Sequence, residues 1–242
     1  NKDIFPLKRE FKNGGFYVFP HATVSIGNKE EGKYTVADTS YDYEVIGRGK
    51  WGYGLEVGWF HSFKKPRLID YLEGGVSYRV FKGAAEHEGT LTTPLGSTVF
   101  KSDNAFDAQM LVASFRAVHV KQLKKYSYFS TALGINYNYK IPDSYKRSNE
   151  YPFANNDEFV KESVVQLHLQ LSLGFLESKK FLFVPTIETP LVTAYPLDGQ
   201  NPAFSFFDAK FHPIMIGLKV LFIREDPVNC NAPVYDGPVI GQ

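Results

Sequence analysis

The side chains able to do chemistry are few and scattered. His87 and Ser97 share one polar stretch with Glu86, Glu88 and Asp103. These are the residue types of an acyl-transfer site, in which an acid orients a histidine that activates a hydroxyl. Polar stretches collect such residues by composition alone, and no catalytic residue is assigned. His61 and Ser62 are adjacent, so in a strand they point to opposite faces. His21 and His168 give no spacing that makes them converge, so no metal site is assigned. The single cysteine, Cys230, excludes an internal disulfide and a cysteine-based metal centre. No Gly-rich phosphate loop and no basic-aromatic stripe occurs. No cofactor is expected.

The elements that position these residues are legible in residues 164–175. Val165, Leu167, Leu169, Leu171, Leu173 and Phe175 fall on one face; Val164, Gln166, His168, Gln170, Ser172 and Gly174 fall on the other. This period-2 alternation is that of a β-strand with two unlike sides. The apolar side is long enough to cross a hydrocarbon layer, which takes ~9–11 tilted residues.

The pattern recurs along the chain. A first strand is expected over residues 15–27, with Pro20 accommodated at a bulge because proline gives no ladder donor. Residues 28–48 read as a polar loop. A second strand follows over 50–63, with Trp51, Tyr53, Leu55, Val57 and Trp59 on its apolar face, and then a tight turn at Lys64-Lys65-Pro66. The third strand covers about 70–82, with Leu72, Val76, Tyr78 and Val80 outward, and residues 84–104 read as a second long loop. In the fourth strand, about 107–120, Leu111, Ala113, Phe115 and Ala117 are set toward lipid. The register puts Arg116 inward, because a charge facing mid-membrane lipid costs ~2–4 kcal/mol. A short turn at 122–125 leads to a fifth strand over 126–139. A third long loop at 141–157 precedes the sixth strand, 164–175. A turn at Glu177-Ser178-Lys179, a seventh strand over 181–195, a fourth long loop at 196–208 and an eighth strand over 211–223 complete the series.

Long and short connections alternate, which is the habit of outer-membrane barrels. The fold expected is all-β: an eight-stranded antiparallel up-and-down transmembrane β-barrel with short periplasmic turns, long outer loops and a periplasmic C-terminal tail. Residues 1–13 form a periplasmic N-terminal extension, 14–223 the barrel, and 224–242 an extended Pro-rich tail. No run of eighteen apolar residues exists, so no transmembrane helix is expected. A net charge of +1 gives no electrostatic case for nucleic acid. The chain opens at Asn1 without Met or an apolar leader, which fits an exported protein with its signal peptide removed.

A soluble eight-stranded barrel of the lipocalin sort also alternates, but it turns its apolar face inward. Here the polar faces are mostly Gly, Ser, Thr, Asn and Gln, whereas a solvent-facing surface is typically ~25–35% charged. The charges placed inward are Glu56, Glu73 and Glu188 against Arg79, Arg116 and Lys219. Three acids and three bases in a narrow lumen must pair, so they are expected to form a salt-bridge network that plugs it. Pro227, Val228, Pro233, Val234, Tyr235 and Pro238 mark a tail that cannot hold a long strand or helix. It either folds back under the barrel or lies on a partner, and the partner is the reading preferred.

These features resemble the small eight-stranded outer-membrane proteins of the OmpX and OmpA-barrel type, and most of all the outer-membrane β-barrel proteins of Bacteroidota. The resemblance covers roughly residues 14–223. It includes residues 212–222, which look like a terminal targeting strand ending in an aromatic, although this chain continues to Gln242. Some barrels of this size are lipid A-modifying enzymes of the deacylase and palmitoyltransferase types. The deacylase type carries a His-x-Ser pair, which this chain lacks.

The resemblance thus implies location in a Gram-negative outer membrane, in contact with outer-membrane lipid or lipopolysaccharide, with both termini periplasmic. The function expected is a non-enzymatic structural or accessory subunit of a larger outer-membrane complex, for barrel assembly, secretion or uptake. The alternatives are a lipid A-modifying enzyme and a stand-alone surface barrel with ligand-binding or adhesive loops.

Overall fold

In the computed structural model, the described residues are 14–36, 38–63, 68–124, 127–142, 146–147, 162–176, 181–195, 204–206 and 209–223. Among the described residues there are eleven strands: β1 (Gly15–Gly27), β2 (Lys29–Val36), β3 (Thr39–Ser62), β4 (Tyr71–Thr93), β5 (Gly96–Lys124), β6 (Ser127–Lys140), β7 (Lys146–Arg147), β8 (Ser163–Leu176), β9 (Phe181–Tyr195), β10 (Phe204–Phe206) and β11 (Ala209–Ile223). Eight of them form the wall. The order β1-β11-β9-β8-β6-β5-β4-β3 closes on itself through β1–β3, and every pairing is antiparallel. The N-terminal extension, the turns at Lys64-Lys65-Pro66 and Glu177-Ser178-Lys179, and the C-terminal tail with Cys230 lie outside the described residues.

The wall is inside out relative to a soluble barrel. Trp51, Tyr53, Leu55, Val57 and Trp59 on β3, and Leu133, Ile135 and Tyr137 on β6, are exposed on the outer face, while Glu56, Arg79, Arg116 and Asn136 are buried within. Exposed apolar area of this extent needs lipid around it. The register of β5 falls as expected, with Leu111, Ala113 and Phe115 outward and Ser114 and Arg116 inward.

Aromatic side chains border the apolar band. At the short-turn end, Trp59, Phe16, Phe222 and Phe181 are successive cross-strand neighbours. Trp59 lies over the bare backbone of Gly74, where an added Cβ would come within 3.2 Å of the indole. At the other end Trp51, Tyr53, Tyr78, Tyr137, Tyr139 and Tyr195 play the same part. Trp51 and Trp59 are separated by roughly 26 Å of strand, or about 20 Å once tilted, within the ~25 Å apolar band of such barrels.

The two stretches expected as long polar loops, 28–48 and 84–104, are instead mostly strand, over residues 29–36, 39–48, 84–93 and 96–104. β2 pairs with the upper half of β3, β3 pairs with β4 up to Ser40↔Thr92, and β4 turns into β5 at Pro94-Leu95. β4 thus runs roughly 35 Å past Lys82 at ~3.3 Å per residue. Outside the bilayer neither face need be apolar, so these strands carry the composition of loops. Salt bridges such as Lys33–Asp42 at 3.1 Å and Arg48–Glu86 at 2.8 Å line the outer face of this extension. Short strands β7 and β10 lie within stretches read as loops, and β5 continues to Lys124, through residues read as a turn.

Pro20 needs no bulge. The β1–β11 ladder skips Phe19 and Pro20 and resumes in the same register. A bulge occurs instead on β3, between Lys50 and Tyr53. Val80 keeps the outward parity expected of it, between inward Arg79 and Phe81, yet is only 2% exposed. The Thr23 hydroxyl donates to the Val80 carbonyl at 2.6 Å, across Gly52, whose missing side chain leaves room for it.

Candidate functional site: a closed and neutral lumen

The strand alternation projects all six expected charges into the lumen, and all six side chains are at most 1% exposed. Glu56 is at the centre. Arg116 donates to it twice, Nη1 to Oε1 at 2.6 Å and Nη2 to Oε2 at 2.9 Å. Arg79 Nη2 reaches Glu56 Oε2 and Glu188 Oε1, each at 3.2 Å. Arg116 Nη2 also lies 2.8 Å from Glu188 Oε2, and its Nη1 lies 3.8 Å from Glu73 Oε2. Lys219 donates to Glu73 and, at 3.3 Å, to Gln170. Its ammonium also sits 5.0 Å from the centroid of the Tyr17 ring. The six form one connected, formally neutral cluster built from β3, β4, β5, β9 and β11.

Several partners escaped the sequence reading. The Tyr17 hydroxyl donates to Glu56 at 2.6 Å and Ser114 does so at 3.2 Å. Asn136 donates to Glu188 at 2.8 Å, and His168 Nδ1 lies 3.3 Å from the same carboxylate. Each has inward parity on its own strand. What a single sequence hides is their level in the barrel, which depends on the stagger between strands.

Two apolar layers enclose the charged one. Toward the short turns, Tyr17, Phe19, Phe60, Tyr71, Val118, Tyr128, Leu182 and Leu221 pack together. Toward the extension, Phe81, Phe106, Met110, Val112, Phe211 and Met215 do so. Glycines make this density possible: a Cβ on Gly174 would lie 2.0 Å from the Tyr128 ring, and one on Gly83 would lie 2.4 Å from Phe106.

The imagined acyl-transfer group is split by the same alternation. His87 is 1% exposed, on the inner side of the extension, with Ser102 and Val45 as its cross-strand partners. Burial pushes its pKa down to about 4. Glu86, Glu88 and Asp103 belong to the opposite face, and Ser97 pairs with Thr92 near the hairpin tip. His61 is exposed and Ser62 buried, on opposite faces of β3. Among the described residues no three of His, Cys, Asp and Glu gather as a metal site.

No family model and no curated protein matches the chain. Solved structures do. The outer membrane protein OprG from Pseudomonas aeruginosa is 12% identical, over 90% of this chain and 99% of that one, with a TM-score of 0.38. Ail, the attachment invasion locus protein of Yersinia pestis, solved with the heparin analogue sucrose octasulfate, is 13% identical over 87% and 99%, with a TM-score of 0.32. The translocator domain of the autotransporter NalP from Neisseria meningitidis is 12% identical over 87% and 88%, with a TM-score of 0.28. At these scores the fold rests on this chain's own strand pairing and inside-out wall.

Proposed function

We propose that the chain is a non-conducting, non-enzymatic barrel of a Gram-negative outer membrane, serving as a structural or accessory component of a larger outer-membrane assembly. The observation that carries this reading is the lumen: a buried, formally neutral Glu56–Arg79–Arg116–Glu188 centre, joined to Glu73–Lys219, between two apolar layers. A barrel filled in this way has no room for transport, so its contacts with other molecules run over its outside. The outside it offers is a lipid-facing wall and a stiff sheet, β2–β5, standing above it. In this reading the short turns and both termini face the periplasm, and the tail with Pro227, Val228, Pro233, Val234, Tyr235 and Pro238 meets a partner there.

Two measurements test the proposal. In planar bilayers the full chain should show negligible single-channel conductance; large, steady conductance would sink the plugged lumen. Extraction from native membranes in mild detergent, through a tag placed away from the C-terminal tail, should yield a discrete complex of fixed stoichiometry. A lone particle of the chain's own mass plus detergent would remove the accessory role. Deleting residues 226–242 should loosen that complex and leave the barrel folded.

A further inference from the structure

The extension meets the membrane at a pair of lysines. Lys50 and Lys82 are directly opposite one another across β3–β4, at the last rung before the bulge. Like charges in that relation repel, and their Cβ atoms stand only about 5 Å apart. Elsewhere on this face opposite charges relieve such crowding: the row of acids Glu31, Glu44 and Glu88 is bridged by Lys29 and Lys101. Here relief is incomplete. Asp107 stands 3.6 Å from Lys82 on the side away from Lys50. Arg48, farther up β3, is already engaged by Glu86. Lys50 is exposed and has no ion-pair partner among the described residues.

Depth says which anion suits the pair. The bulge sets Trp51, 67% exposed, and Tyr53, 58% exposed, on the outer wall just below the two lysines. The Lys82 ammonium sits 6.0 Å from the centroid of the Tyr53 ring. Exposed Trp and Tyr at the border of an apolar band mark the level of lipid headgroups. Two ammonium groups on flexible stems, set at that level, suit the phosphate of a lipid whose acyl chains run down past Trp51 and Tyr53.

Resting on the outer-membrane reading above, we propose that Lys50 and Lys82 form a binding site for the phosphate of an anionic lipid headgroup in the leaflet beneath the extension. Binding removes the repulsion between the lysines. The lipid thereby braces the junction between the barrel and the β2–β5 sheet.

The test uses the full chain inserted into phosphatidylcholine vesicles doped with diphosphorylated lipid A, or with the same lipid after its phosphates are removed. Bound lipid is counted by native mass spectrometry. The wild type should retain the phosphorylated form and not the dephosphorylated one. Lys50→Gln and Lys82→Gln should each weaken retention about fivefold, and the double variant roughly twenty-five-fold. Removing two exposed lysines farther up, Lys33→Gln with Lys101→Gln, should leave retention unchanged. In pure phosphatidylcholine, Lys50→Gln should be at least as stable as the wild type, because only repulsion has been lost; this shows that the variant folds. Inorganic phosphate that displaces the lipid at millimolar concentration would assign the site to free phosphate and overturn the lipid. Equal retention by the double variant, or equal loss in the Lys33/Lys101 control, would overturn the site. A chain that fails to insert into vesicles at all would overturn the membrane reading beneath it.

Discussion

Arg116 holds Glu56 with both arms of its guanidinium, Nη1 at 2.6 Å from Oε1 and Nη2 at 2.9 Å from Oε2, and neither side chain is more than 1% exposed. The fork joins β5 to β3, which are separated in the wall by β4. It is therefore a strut across the lumen rather than a contact along the sheet. A forked arginine–carboxylate pair is geometrically demanding and strong, and its value depends on both members being present.

Removing one member should expose that dependence. Arg116→Met leaves Glu56 and Glu188 short of a counter-charge in a closed lumen and should cost about 3–5 kcal/mol. Glu56→Gln should be costly for the converse reason. The double variant should cost clearly less than the two single costs combined. Urea unfolding in lipid vesicles, followed by the fluorescence of Trp51 and Trp59, measures all three. Additive costs would mean that the fork does not couple the strands.

Packing in the layer below should be as exacting. A methyl group on Gly174 would sit 2.0 Å from the Tyr128 ring, which is 1% exposed. Gly174→Ala should lower stability by about 1–3 kcal/mol through overpacking. In a Tyr128→Ala background the same substitution should cost little, because the ring it would strike is gone. A full cost in both backgrounds would place the strain in the backbone instead.

How far the sequence reveals this molecule depends on where lipid imposes a pattern. Lipid requires an apolar residue at every second position, so the outward set on β6 and β8 and the inward parity of Arg116 and Glu188 are legible residue by residue. Above Lys50 that requirement lapses. Tyr41, Val45 and Ala85 still alternate inward, yet they are diluted by Lys, Glu, Thr and Gly until strand and loop look alike. The bulge at Trp51–Gly52 adds to the difficulty, because it shifts the parity of β3 between the barrel and the extension. The lumen's composition was readable, but its layering was not. Tyr17, Ser114 and Asn136 come level with Glu56 and Glu188 only through the stagger of five strands.

The wall should not be equally firm all round. Pro20, Pro185, Pro190 and Pro213 all lie on the neighbouring strands β1, β11 and β9. Each removes a ladder donor. The β1–β11 pairing skips Phe19 and Pro20. The β8–β9 pairing skips from Ser172↔Thr186 to Phe175↔Phe183 and carries two irregularities near Pro190. The β5–β6 ladder is unbroken from Met110↔Lys140 to Gln122↔Tyr128. Hydrogen exchange in vesicles should therefore find the amides of Leu173, Gly174 and Lys219 opening roughly tenfold more often than those of Gly134 and Ile135. Uniform protection around the barrel would mean that packing replaces the missing bonds.

The extension should loosen in acid, with His87 as the cause. Its imidazole is buried on the inner side of β4 beside Val45, and burial holds its pKa down to about 4. In an unfolded chain the same group titrates near 6.5. Between those values the unfolded extension binds a proton that the folded one refuses, so stability rises with pH across the interval. His87 therefore leaves folding unpenalised above about 6.5, and its penalty grows as pH falls toward 4, to at most about 3 kcal/mol. Below 4 both states are protonated and the slope vanishes. Hydrogen exchange of the β2–β5 amides outside the membrane, compared at neutral pH and near 4.5 after correction for intrinsic rates, reads this directly. The wild type should open more in acid, and His87→Leu should flatten the dependence while leaving the barrel amides unchanged. A wild-type extension equally protected at both values would show that His87 is not sealed from water when the protein is folded.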